Sequence, residues 1–212
     1  MRDGARAVAA NRMLMAIVVA VTVVTFASAA TNVLDVFFVT DVLHSDASLL
    51  GVIGMSYAFG ALVGTISAPW IERRINAQRI FIGGVVLYGL LTLCYSRTTH
   101  FGLALTVLFL SAIPTGIVNT VLIPLAIRLV PPKMLGRSLV LMTGLPAVAS
   151  LTAVGITGWV ASTVLGGLDA QLLGMTFGPI DTVFTFAGLL IAATGLIVAP
   201  TILRARQVQA TD

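Results

Sequence analysis

Apolar residues occur along this chain in six long runs, separated by short segments that hold most of the charged residues. A transmembrane helix needs about 20 predominantly apolar residues, and every run except the third reaches that length. The six predicted spans are Met13–Leu43, Leu49–Trp70, Ile80–Tyr95, Phe101–Leu129, Ser138–Leu165 and Thr182–Leu203. The pattern predicts an all-α integral membrane protein, with a tail at 1–12, a six-helix bundle at 13–203 and a second tail at 204–212.

Two of the spans carry polar residues at helical spacing. Residues three or four positions apart lie on one face of a helix. The two polar stripes are Thr25, Ser28, Asn32 and Asp35 in span one, and Ser111, Thr115 and Asn119 in span four. Because polar groups are costly in lipid, we expect Asn32 and Asp35 to face a cavity. For the Ser and Thr residues, the alternative is that they only hold helices together.

The stripes recur with a period of three spans. The first span of each triplet has a polar face, whereas spans three and six have much weaker ones and are expected to face lipid. Inverted repeats of three helices are a common transporter architecture, so the pattern predicts two such repeats.

Proline and small residues mark two further features of the spans. Pro114 and Pro124 are expected to break the hydrogen-bond ladder of span four. Gly60, Gly64 and Ala68 form a small-residue face on span two, which lets another helix approach closely.

The composition excludes a soluble domain. Of the 212 residues, 58% are apolar and 9% are charged, whereas soluble domains carry about 25% charged residues. Lipid must therefore cover most of the surface. The single cysteine, Cys94, excludes a disulfide framework and a multi-cysteine metal site.

Basic residues are divided unevenly between the two ends of the predicted bundle. Eleven of the twelve lie in the tails and in the loops after spans two and four, and only Arg97 lies on the other side. Loops rich in Lys and Arg stay in the cytoplasm. We therefore predict a multi-pass plasma-membrane protein with both termini cytoplasmic. This distribution explains the net charge of +4 without a nucleic-acid partner.

The first apolar run has a second interpretation, a cleaved signal peptide. Three arginines precede it, and Ala27–Ala29 resembles a cleavage site. However, the run continues to Val39, which is too long for a signal-peptide core, and cleavage would leave an odd number of spans. A transmembrane helix is therefore the favoured interpretation.

Two cytoplasmic loops resemble those of a known family. One comprises Gly64–Asn76 and ends at Arg79, and the other comprises Asn119, Pro124 and Val130–Arg137. The first resembles the second copy of the Gly-x-x-x-Asp-Arg-x-Gly-Arg-Arg loop of major facilitator superfamily transporters. The second resembles the loop after their tenth helix.

The resemblance extends from about Asn11 to Arg206 and is to the C-terminal six-helix half of such a transporter. Within the superfamily, the chain most resembles bacterial drug, macrolide or siderophore exporters. It departs from the family at Arg73, where the better copy of the loop has Asp.

The resemblance implies efflux of a small molecule by proton-coupled alternating access, around a cavity shared with an N-terminal half. The pathway residues would be those of the two polar stripes. The gating or topology residues would be Gly64, Arg73, Arg74, Arg79, Arg128, Gly136 and Arg137. The simpler interpretation of these arginines is that they set the topology and contact anionic lipid.

Asp35 is the only acidic residue well inside a span. We hypothesise that it exchanges a proton or pairs with a cationic substrate. Alternatively, it lies only at the external mouth, because it is about 33 Å along the helix from Met13.

A second functional class is a truncated or split-gene fragment with no transport of its own, which would need a partner half or a second copy. An enzyme is disfavoured, because both histidines lie outside the spans, no His-Glu-x-x-His motif or Ser/His/Asp set lies within a span, and no phosphate loop occurs. No metal or other cofactor is predicted. A channel would need a charged ring or a filter-like glycine repeat, and neither occurs.

Overall fold

The computed structural model describes residues 12–39, 49–130, 135–163, 170–172, 175–177 and 179–209. Its helices are α1 (Arg12–Phe37), α2 (Leu50–Glu72), α3 (Ala77–Tyr95), α4 (Phe101–Leu129), α5 (Leu135–Thr163) and α6 (Pro179–Gln209). Between α5 and α6, β1 (Ala170–Leu172) and β2 (Met175–Phe177) pair antiparallel. Six helices of the described chain are long and apolar enough to cross a membrane. The chain is therefore a multi-pass membrane protein with a helical transmembrane part.

The helix bounds follow the predicted spans closely. α2 begins one residue after the predicted start, and α4 has the predicted bounds. α6 continues past Leu203 to Gln209, so its last turns extend into the predicted tail. The predicted ends of spans one and five, Leu43 and Leu165, lie outside the described residues.

α4 remains one helix through both of its internal prolines. Pro114 and Pro124 each lack a backbone donor, but the helix continues from Phe101 to Leu129. Prolines are tolerated in transmembrane helices because neighbouring groups and local adjustments satisfy the freed carbonyls. The lost donors therefore interrupt the ladder without ending the helix.

Two apolar clusters show that successive helices run in opposite directions. One cluster joins the starts of α1 and α3 to the ends of α4 and α6, and includes Met13, Ile17, Phe81, Val85, Leu125 and Ile202. The other joins the opposite ends of these helices to the start of α2, and includes Leu34, Phe38, Ile53, Tyr95, Ala104 and Phe184. We call the first the basic end, because it also carries the α2–α3 loop with Arg73 and Arg74. We call the second the aromatic end, because Phe38, Tyr95 and Phe184 lie there. The start of α1 and the end of α6 lie together at the basic end, as six spans require.

Each helix has few principal packing neighbours. α1 packs against α5 and α6, α3 packs against α4 and α6, and α2 packs against α4. Along these contacts the helices follow the order α2, α4, α3, α6, α1, α5. The outermost helices, α2 and α5, bury the smallest share of their spans and expose large apolar side chains such as Trp70 and Trp159.

The expectation that spans three and six face lipid stays a prediction, because both helices expose large apolar side chains, such as Leu90 on α3 and Ile197 on α6. α3 and α6 lie in the middle of the packing order and contact each other closely. A Cβ on Gly89 would lie 2.5 Å from the backbone nitrogen of Ala192, and one on Gly188 would lie 2.9 Å from that of Leu93. Apolar side chains suit both lipid and a neighbouring helix, so each of these helices can pack on one side and expose apolar side chains on another.

The small-residue face of α2 packs against α4, as predicted. A Cβ added to Gly60 or Gly64 would overlap the backbone carbonyl of Phe109 or Ile113. From the other side, a Cβ on Gly116 would overlap the carbonyl of Ala61. Glycine is therefore required on both helices for this close approach.

Candidate functional site

All seven residues of the polar stripes line two neighbouring cavities in the bundle. We call the first the carboxylate cavity, because Asp35 lies in its wall, and the second the asparagine cavity, because Asn119 lies in its wall. Their volumes are about 210 Å³ and about 220 Å³. A water molecule occupies about 30 Å³ of liquid, so each cavity has room for several waters or for a small organic group.

The carboxylate cavity lies toward the aromatic end and is formed by five helices. Its polar and aromatic wall comprises Ser28, Thr31, Asn32, Asp35, Tyr57, Tyr88, Thr92, Tyr95, Ser111 and Phe184. Among the described residues that line it, Asp35 is the one acidic group, and none is Lys, Arg or His. The cavity therefore contains an ionisable acid without a basic side chain in its wall.

The asparagine cavity adjoins it on α1, α2, α3 and α4. Thr25, Thr115 and Asn119 supply its polar groups, together with residues that it shares with the first cavity. The rest of its wall is apolar, and comprises Val21, Val24, Phe81, Gly84, Val85, Val118 and Leu122. This cavity can surround an apolar group and offer it a few hydrogen bonds.

Three side chains belong to the walls of both cavities: Ser28, Tyr57 and Tyr88. The Ser28 and Tyr88 hydroxyls lie 3.0 Å apart and form a hydrogen bond between α1 and α3. The two cavities are therefore neighbouring chambers, with tyrosines between them.

Both stripe hydroxyls on α4 form a hydrogen bond within their own helix. Ser111 Oγ donates to the Leu108 carbonyl at 2.8 Å, and Thr115 Oγ1 donates to the Ser111 carbonyl at 3.1 Å. These two bonds do not join helices, but Thr115 also interacts with the Tyr57 hydroxyl on α2. The helix-joining alternative therefore applies to Ser28 and Thr115. A helix-joining hydroxyl that the sequence did not identify is Ser56, whose Oγ donates to the Leu105 carbonyl at 3.1 Å.

Asp35 lies two residues before the end of α1, close to the aromatic end. It is partly exposed and lines the carboxylate cavity beside Tyr95. The Tyr95 hydroxyl interacts with the Asp35 carboxyl, but it is buried without a partner in hydrogen-bond geometry among the described residues. Asp35 and Tyr95 thus lie side by side in the wall of the carboxylate cavity.

An aromatic cluster closes the aromatic end beside this cavity. The ring centroids of Phe38 and Tyr95 are 4.8 Å apart, those of Phe38 and Phe184 are 5.1 Å apart, and those of Tyr95 and Phe184 are 5.5 Å apart. Tilted aromatic pairs at such distances are favourable beyond their buried area. The cluster joins the end of α1 to α3 and α6, and so positions Tyr95 against the cavity.

The sequence interpretation missed the tyrosines. Tyr57, Tyr88 and Tyr95 are the three tyrosines of the chain, and all of them line the cavities. Tyr88, Thr92 and Tyr95 are spaced by four and three, which places them on one helical face. The sequence predicts this stripe on span three if tyrosine is counted as a polar residue because of its hydroxyl group.

Five of the expected gating residues are described, and none of these five lines a cavity. Gly64 is buried against α4, and three arginines at the basic end are exposed: Arg73, Arg74 and Arg79. Gly136 is exposed near the start of α5. The side chains of Arg128 and Arg137 lie outside the described residues. The structure thus brings the stripe residues together and leaves the described loop residues at the basic end.

Comparisons of the chain with protein-family models, curated proteins and solved structures found no match.

Proposed function

We propose that this chain is one half of a major facilitator transporter and carries small molecules across the membrane by alternating access. The observation that carries the proposal is the position of the polar stripes. Every stripe residue lines one of two adjoining cavities inside a membrane-spanning bundle. Polar and ionisable residues in transmembrane helices that face a cavity are typical of substrate and ion pathways.

The packing of the helices supports two inverted three-helix repeats. Exchanging α1 with α4, α2 with α5 and α3 with α6 maps each principal helix pair onto a principal pair, with the α3–α6 pair mapping onto itself. The α1–α5 pair becomes the α4–α2 pair, and the α1–α6 pair becomes the α4–α3 pair. The exchanged helices run in opposite directions, which is the relation that inverted repeats require.

Two exposed asparagines support a pathway that continues beyond this bundle. Asn32 and Asn119 line the cavities and are nevertheless exposed. An exposed amide in a bilayer is costly unless water or protein covers it. We propose that an N-terminal six-helix half covers this face, with a second copy of the chain as the alternative partner.

The proposal also covers the direction of transport and the orientation of the chain in the membrane. The arginines of the α2–α3 loop and both termini of the chain would face the cytoplasm. Asp35 would couple export to proton entry from the aromatic end. If a complete transporter carrying Asp35→Asn still exports against a proton gradient, this coupling role is wrong.

Thiol labelling tests the proposed pathway directly. Asn32→Cys and Asn119→Cys would each be placed in a Cys94→Ser background, because Cys94 is exposed and would react itself. A membrane-impermeant maleimide should label both positions in membrane vesicles, because the reactive thiolate forms only where water has access. Val148→Cys, on the exposed apolar face of α5, is the matched control and should stay nearly unlabelled. Labelling of Asn32→Cys and Asn119→Cys no faster than the control would contradict a water-accessible pathway.

The alternative function is a six-helix bundle without transport of its own. Flux separates the two functions, because alternating access around a central cavity needs a second body to rock against. Both functions predict no substrate flux from the chain reconstituted alone. Flux restored by co-reconstitution with a partner half would support the half-transporter, and its continued absence would support the bundle without transport.

A further inference from the structure

The composition of the carboxylate cavity limits the kind of ligand that it suits. Its wall combines one carboxylate with four aromatic rings, those of Tyr57, Tyr88, Tyr95 and Phe184. We propose that this cavity binds the ammonium group of an organic cation, with Asp35 as the counter-charge and the tyrosine rings as cation–π partners. The inference rests on the proposed transport function and specifies its substrate class.

Asp35 is the one acidic group among the described residues that line this cavity. A charged side chain at membrane depth is costly unless another charge or a polar group compensates it. None of the described residues that line the cavity is basic, and the nearby Tyr95 hydroxyl is neutral. Arg97, at the same end of the bundle, directs Nη2 to Thr185 Oγ1 on α6, 3.4 Å away. A cationic ligand would supply the missing positive charge.

The aromatic rings determine which kind of cation fits. The face of an aromatic ring carries negative charge density and attracts a cation within about 6 Å of its centroid. A small metal ion instead requires several oxygen ligands in a tight shell, and the described residues contain no group of three His, Cys, Asp or Glu side chains that could hold one. An ammonium group with methyl or methylene substituents is weakly hydrated and suits a wall of rings with a single carboxylate.

The volume of the carboxylate cavity agrees with a substituted ammonium ion as its ligand. About 210 Å³ accommodates a substituted ammonium group with a short chain. The asparagine cavity continues past Tyr57 and Tyr88 with mostly apolar walls. A ligand with an apolar portion could therefore place its ammonium group beside Asp35 and the remainder in the second cavity.

Choline and its neutral isostere 3,3-dimethylbutan-1-ol provide the test, because they differ mainly by a charged nitrogen in place of a carbon. Binding of each compound to the full chain in lipid nanodiscs would be measured by isothermal titration calorimetry, with empty nanodiscs as the blank. Choline should bind at least roughly tenfold more tightly than the isostere, since it alone gains the charge pair and the cation–π contacts.

Four variants separate the contributions of the Asp35 charge and of the Tyr95 ring to choline binding. Asp35→Asn keeps the shape of the side chain and removes its charge, and should weaken choline binding by at least roughly tenfold. Tyr95→Leu should also weaken binding, whereas Tyr95→Phe retains the ring and should bind choline much as the original chain does. Glu72→Gln removes a carboxylate at the end of α2, outside both cavities, and should leave binding unchanged. Size-exclusion profiles and thermal unfolding of each variant would establish that it is folded.

Three results would overturn the inference: equal binding of the isostere, unchanged choline binding by Asp35→Asn, or no binding of either compound. The thiol labelling of Asn32→Cys and Asn119→Cys does not depend on the charge of the ligand. If labelling succeeds while choline fails to bind selectively, the cation class is wrong and the transport pathway stands. If choline binds selectively while labelling fails, the cavity binds cations but the proposed pathway is wrong.

Discussion

The hydroxyl oxygens of Ser28 and Tyr88 lie 3.0 Å apart and join α1 to α3 at the boundary between the two cavities. The two residues are 60 positions apart in the chain. One hydrogen bond therefore couples a polar-stripe residue, identified from the sequence, to a tyrosine that the sequence interpretation missed.

This bond should contribute measurably to stability. Tyr88→Phe and Ser28→Ala each remove it, and the double variant should be less destabilised than the sum of the two single variants. The expected coupling energy is about 0.6 kcal/mol and at most ~1.7 kcal/mol, as for hydrogen bonds between transmembrane helices. Reversible unfolding in mixed micelles would measure it. Additive effects would mean that the two hydroxyls do not interact in the membrane.

The close contact between α2 and α4 should not tolerate a methyl group. Gly64→Ala places its Cβ against the Ile113 carbonyl, and we expect a loss of about 1–3 kcal/mol in the free energy of unfolding. Gly83→Ala is the matched control, because a Cβ there meets no atom within 4 Å. Its effect should be neutral or stabilising, since alanine favours a helix over glycine. Equal thermal shifts for the two variants would contradict the packing described.

The aromatic cluster should stabilise the aromatic end of the bundle. Phe184 is 1% exposed and contacts both Phe38 and Tyr95, whereas Phe186, two residues later, is 67% exposed. Phe184→Ala should cost about 3–5 kcal/mol in the free energy of unfolding, because it removes a fully buried ring. Phe186→Ala should change this energy far less. If Phe186→Ala lowered the free energy of unfolding more than Phe184→Ala did, the aromatic cluster would not belong to the core.

The arginines at the basic end should determine the orientation in the membrane. A fluorescent protein fused after Asp212 is expected to fluoresce in the cytoplasm, and alkaline phosphatase inserted after Thr99 is expected to be active on the opposite side. Replacing Arg73, Arg74 and Arg79 with Gln should lower the fraction in this orientation. Replacing Gln78 with Asn is a suitable control, because it changes a side chain near this loop without changing charge. Active phosphatase at the C-terminal position would reverse the proposed topology.

Much of the candidate site was predictable because its polar residues follow helical periodicity. Thr25, Ser28, Asn32 and Asp35 share a face on any α-helix, whatever surrounds it. The structure places this face and the matching face of α4 in the cavity walls. Tyr88 and Tyr95 were missed because tyrosine occurs at core, interface and cavity positions alike, and only the neighbouring helices distinguish them.

The chain by itself determined the number of spans, their bounds and the phase of the polar faces. These properties depend on consecutive residues, since about 20 apolar residues cross a bilayer and every third or fourth residue shares a face. Only the tertiary structure decided that α3 and α6 lie centrally, that α2 and α5 are outermost, and that two cavities meet at Ser28, Tyr57 and Tyr88. The physical reason is that lipid and neighbouring helices are equally apolar, so hydropathy cannot select packing partners. Close approach selects them, through glycines such as Gly64 and Gly116 that come together only when the helices assemble.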